Sequence, residues 1–115
     1  MSISVRALDC AYGRPAADML IRLSRDRDGD WHEEARGRTD ADGYLADWAP
    51  GTITRGTYRL DVHLDEYFAG IGVTPFYPSI TIVFRVADVT GSYHIPLFFS
   101  PHAYATYCEM PPDCR

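Results

Sequence analysis

Residues 57–64 read TYRLDVHL. Tyr58, Leu60, Val62 and Leu64 alternate with Arg59, Asp61 and His63, so one side of the segment is apolar and the other wet. Successive side chains of an extended chain point to opposite faces, so a period of two makes an apolar face only in a strand. In a helix the same residues would be scattered around the circumference. The segment is therefore a strand with one face in a core and the other in solvent. The same period recurs where Ile80, Ile82, Phe84 and Val86 stand opposite Arg85. It recurs again at the start, where Ile3, Val5 and Ala7 alternate with Ser4, Arg6 and Leu8.

Between these strands the chain is punctuated by turns. Met19, Ile21 and Leu23 predict a strand that runs into DRDGD, residues 26–30, where Asp28-Gly29 suits a tight hairpin with two positive φ angles. Residues 31–38 should return antiparallel. AYGRPA (residues 11–16) and TDADG (residues 39–43) read as turns, the latter leading into a short strand over residues 44–47. Asp65 is placed to cap a helical turn, EYFAGIG, which its glycines cut short. Residues 93–99 and 104–108 form a hairpin-like pair around Ser100-Pro101. About eight short strands with regular turns predict an all-β sandwich with one short helix.

The chain has 115 residues, 46% of them hydrophobic, which suits one domain with a single core. No apolar run approaches the roughly 20 residues of a membrane helix, and the first residues lack a secretory pattern. The expectation is a cytoplasmic protein with no membrane partner. All eleven basic residues are arginine, a composition that points to a GC-rich bacterial genome, and the net charge is −5. With no basic stripe, nucleic acid is not an expected partner. Cys10, Cys108 and Cys114 include no C-x-x-C, so neither a disulfide framework nor a zinc site is expected. DRDGD and TDADG lack the downstream glutamate of a calcium loop. His63 and His102 have no partner at metal spacing, so the expectation is no metal and no cofactor. Trp31 and Trp48 are expected in packing or at the rim.

LDCAYGRPA, TDADG, PGTITRGTYRLDV, FYPSITIVFRV and YHIPLFFSPHAYATY occur in this order between residues 4 and 107. Together they resemble the transthyretin-like proteins, specifically the 5-hydroxyisourate hydrolases. The resemblance implies an eight-stranded sandwich over residues 1–110, with 111–115 as a C-terminal extension. It also implies a homotetramer, a dimer of dimers, with a small-molecule site in its central channel. The family's chemistry adds water to open a hydroxyisourate ring. The family's first-strand histidine falls here on Arg6, and the arginine after the middle aspartate-glycine falls on Tyr44. The histidine before a proline is kept as His94. The closing Tyr-Arg-Gly-Ser begins with Tyr107 but continues Cys108-Glu109-Met110.

These substitutions change what the site can do. A guanidinium holds an anion but is no base near neutrality, so Arg6 exchanges a proton carrier for a fixed cation. An imidazole titrates in the neutral range, which makes His94 the candidate acid–base. Tyr44 and Tyr107 are candidate hydrogen-bond partners, with Ser4 beside Arg6 on the outward face as a substrate contact. Cys108 is a candidate nucleophile if a cation lowers its pKa, and otherwise a packed thiol. Glu109 offers a carboxylate, with solvent exposure as the simpler expectation. The leading expectation is a diverged enzyme for a small polar heterocycle or carbonyl compound, in bacterial specialised metabolism. The alternatives are a ligand-binding tetramer without turnover, a genuine 5-hydroxyisourate hydrolase, and a protein whose tail plugs its own channel.

Overall fold

The computed structural model describes residues 2–46, 48, 53–87 and 91–109. In chain order the elements are β1 (Ser2–Asp9), β2 (Arg14–Pro15), β3 (Leu20–Arg27), β4 (Asp30–Arg38), β5 (Tyr44–Leu45), β6 (Gly56–His63), α1 (Leu64–Ala69), β7 (Ser79–Val86), β8 (Ser92–Phe99) and β9 (Tyr104–Thr106). One sheet runs β2-β1-β8-β9, with β5 also pairing β1, and the other runs β4-β3-β6-β7. The neighbours are antiparallel except β1 and β8, which pair in parallel from Ser2↔Ser92 to Asp9↔Phe99. A parallel pair needs a long connection, and the intervening chain supplies the whole second sheet.

The core lies between the sheets, and the alternation read from the sequence fills it. Ile3, Val5 and Ala7 of β1 are buried together with Tyr58, Leu60 and Val62 of β6 and Leu97 and Phe99 of β8. Ser4, Arg6 and Leu8 take the opposite face of β1. The Asp28-Gly29 turn has the expected positive φ values, 55° and 90°, and Asp26 accepts the Gly29 N–H at 2.9 Å. Trp48 packs against the core and donates its indole N–H to the Ile3 carbonyl at 3.0 Å, while Trp31 lies at the surface under the Arg59 guanidinium.

Three local expectations differ from the structure. Asp65 does not cap α1: the N-cap is His63, without a side-chain cap. The first free N–H groups, of Leu64 and Asp65, instead donate to the Pro78 carbonyl at 3.0 and 2.9 Å, a tertiary partner that replaces a local one. The turn over residues 11–16 contains the two-residue strand β2, and the strand after TDADG is limited to Tyr44–Leu45. Asp47, Cys114 and the expected extension at 111–115 lie outside the described residues.

Asp9 ties the end of β1 to α1. Its carboxylate is fully buried, accepts the backbone N–H groups of Ala11 and Tyr12, and accepts the Tyr67 hydroxyl at 2.7 Å. Desolvation and this bond both push the Tyr67 phenol up, although Arg14 opposes them. A hydrogen bond to a buried charge is worth about 1.5–3 kcal/mol. Tyr67→Phe should therefore lose about that much stability in urea unfolding; a loss below about 0.5 kcal/mol would contradict this role for Asp9.

Candidate functional site

The outward face of the first sheet gathers the chemistry-bearing side chains. The parallel register pairs Ser4 with His94, and β5 pairs Tyr44 with Arg6. The turn that delivers Tyr44 is built by its own residues. Asp40 accepts the N–H groups of Asp42 and Tyr44, each at 2.9 Å, and Gly43 donates to the Asp40 carbonyl. Gly43 has φ +81°, and a Cβ there would collide with the Ala7 carbonyl oxygen. No L side chain fits so close to β1, so glycine is what lets Tyr44 lie against Arg6.

Three contacts link the group. Ser4 Oγ lies 2.8 Å from His94 Nδ1. The Tyr44 ring stacks near the His94 ring at 6.2 Å between centroids and 29° between planes. The Arg6 guanidinium carbon stands 4.7 Å above the Tyr44 ring, and Arg6 Nε donates to the Asp42 carbonyl at 3.4 Å. A tyrosine face attracts a guanidinium through its quadrupole, so Tyr44 holds the cation over this face. Arg6 also lines a groove of about 290 Å³ with Leu8 and Phe98, which gives the face an apolar end beside its polar one.

The hairpin register settles where the last residues point. Leu97↔Thr106 and the bridge His94↔Glu109 belong to one continuous antiparallel register, which sets Tyr107 opposite Pro96 and Cys108 opposite Ile95. Tyr107 shares the outward face: its ring stacks on Phe98 at 6.4 Å and 15°. Its hydroxyl donates to Glu109 Oε1 at 3.2 Å, and desolvation together with that carboxylate pushes the phenol up. Cys108 falls on the other side. It is exposed rather than packed, and lines a largely apolar cleft of about 280 Å³ at the open edge between the sheets, with Tyr93, Ile95, Phe84 and a side of Tyr107. Desolvation, with a smaller push from Glu109 and an opposing hydrogen bond from the His94 backbone, raises its thiol pKa. A raised pKa leaves the thiol protonated near neutrality, the reverse of what a nucleophilic cysteine needs.

The structure thus brings Ser4, Arg6, Tyr44, His94 and Tyr107 to one face and sets Cys108 on the opposite one. Glu109, offered by the sequence as a site carboxylate or an exposed residue, is exposed and lies beside His94, a placement that parity suggests only once the hairpin register is known. Among the described residues, no three histidine, cysteine or acidic side chains cluster as a metal site, and no helix is long and apolar enough to cross a membrane.

Comparison with known proteins agrees with this fold. Residues 3–108 match the HIUase/Transthyretin family. A 5-hydroxyisourate hydrolase of Caulobacter vibrioides is 37% identical over 112 residues, covering 91% of this chain and 95% of that protein. The mouse 5-hydroxyisourate hydrolase is 34% identical over 108 residues, covering 91% and 92%. Sea bream transthyretin in complex with thyroxine superposes with a TM-score of 0.89 at 28% identity, over 96% of each chain. The two sheets, the short helix and this match over nearly the whole sequence place the chain in the HIUase/transthyretin family.

Proposed function

We propose that the protein is a diverged enzyme of this family that acts on a small polar heterocycle or carbonyl compound. The reaction is water addition or loss, with ring opening or closure. The observation that carries this reading is the gathering of the Arg6 cation, the Tyr44 ring and the Ser4-bound His94 imidazole on one face. When His94 Nδ1 carries the proton and donates a hydrogen bond to Ser4 Oγ, Nε2 holds the lone pair and is the nitrogen that meets substrate. Nε2 takes a proton from the attacking water as its oxygen bonds to the carbonyl carbon. The carbonyl electron pair moves to oxygen, where Arg6 and a tyrosine hydroxyl hold the charge. The proton then passes from Nε2 to the leaving ring atom as its bond to carbon breaks. Cys108 has no part in this scheme.

The same reading takes the protein to be a cytoplasmic homotetramer, with this face lining a channel between copies. Exposed apolar residues on the outermost strands, Val83 and Tyr104, are consistent with further subunits. A bacterial specialised pathway is the proposed setting. A second reading, a genuine 5-hydroxyisourate hydrolase, is favoured by the names of the relatives. A third, ligand binding without turnover, is favoured by the thyroxine complex of sea bream transthyretin. Decay of 5-hydroxyisourate with the purified protein separates them. General acid–base catalysis contributes about 10²–10⁴-fold, so the diverged enzyme should be slower than the Caulobacter protein by at least about 10²-fold. Equal rates would establish the second reading and overturn the first.

A further inference from the structure

We propose that Glu109 is a recognition residue of this same site, accepting an N–H or ammonium donor from a ligand whose anionic oxygen is held by Arg6. The inference rests on the reading of the face given above. Glu109 and His94 exchange both backbone hydrogen bonds, Glu109 N–H to the His94 carbonyl at 2.8 Å and His94 N–H to the Glu109 carbonyl at 3.3 Å. In such an antiparallel pair the two side chains leave the sheet on the same face as cross-strand neighbours. The Glu109 carboxylate is therefore beside the His94 imidazole rather than on the core side with Cys108.

Tyr107 fixes that carboxylate. Its ring is held by stacking on Phe98, an outward residue of β8, and its hydroxyl donates to Glu109 Oε1. An ionised carboxylate has about four lone-pair positions, so one phenol donor leaves acceptor capacity for a ligand. Arg6, on the other side of β8, is held in turn by the Tyr44 ring and the Asp42 carbonyl. The face is bipolar: Glu109 stands beside His94 on one side of β8, and Arg6 lies on β1 at the other side, two residues along and opposite Pro96. A plain anion drawn to Arg6 also meets the field of Glu109. A molecule carrying a donor beside its anionic oxygen satisfies both charges in the same order, and this selects the ligand.

The test uses the full chain and two probes of matched shape. Hydantoin-5-acetate has a carboxylate on a five-membered ring with N–H donors, whereas cyclopentylacetate has the same carboxylate without them. Affinities are read by titration calorimetry. The wild type should prefer hydantoin-5-acetate by about tenfold, the low end for hydrogen bonds to a charged group. In Glu109→Ala, an exposed substitution that leaves the core untouched, the preference should fall to within about twofold through loss of hydantoin-5-acetate binding, at about the lower limit of what one such bond contributes. A preference that survives Glu109→Ala, or a wild type that favours cyclopentylacetate, overturns the inference while leaving the site standing. Arg6→Ala should weaken both probes. If it weakens neither, or if the wild type binds neither, the reading of the face fails and the inference fails with it.

Discussion

His94→Ala should cut turnover by about 10²–10⁴-fold, the range that a positioned acid–base group supplies, on whichever of 5-hydroxyisourate or a related cyclic ureide the wild type opens. Within this face the His94 imidazole, held by Ser4, is the proposed proton carrier. Arg6 is fixed as a cation, and the Tyr107 phenol is pushed further from ionisation by desolvation and Glu109. The substitution should leave the fold in place, because His94 lies on the outward face of β8 while Tyr93 and Ile95 carry the packing. The structural loss is its bond to Ser4, about 1 kcal/mol. Steady-state rates with circular dichroism and a melting curve check both halves. An unchanged rate in a folded variant would remove the proposed chemistry.

Arg6→His should move activity in the other direction. The resemblance implies a histidine at this position in the hydrolases, so the substitution returns a second proton carrier to β1. Hydrolysis of 5-hydroxyisourate should then rise by about 10²-fold or more over the wild type. Arg6 is partly exposed and its contacts are with the Tyr44 ring and one carbonyl, so the exchange disturbs no core residue. Tyr44→Arg added to it should raise the rate further by restoring a cation beside His94. If neither the single nor the double variant gains activity, the substitution at Arg6 is not what sets this protein apart from its relatives.

Much of the architecture was legible because burial on a sheet face leaves a strict period in the residues. The alternation at residues 57–64 and 80–86 corresponds to β6 and β7, and parity alone put Val5 and Ala7 inside and Ser4 and Arg6 outside. The Asp28-Gly29 turn was legible because its backbone demands those residue types. What escaped the sequence depends on partners distant in the chain. Asp65 reads as a cap because nothing local shows that the helix starts one residue earlier, at Leu64, with the Leu64 and Asp65 N–H groups on the Pro78 carbonyl. The side on which Cys108 falls depends on the register across Ser100-Pro101, which residue type does not encode. The same register brings Glu109 to His94. Ser4 is legible as outward by parity, but its bond to His94 needs the parallel pairing of β1 with β8, whose partners lie 90 residues apart.

A crystal structure of the protein with hydantoin-5-acetate bound would test the shared face most directly. The expected result is a carboxylate on the Arg6 guanidinium with the ring of the same molecule within hydrogen-bond reach of His94 Nε2, in a cavity between subunits. A ligand seated elsewhere, or Arg6 and His94 turned to separate surfaces of a lone monomer, would contradict the account.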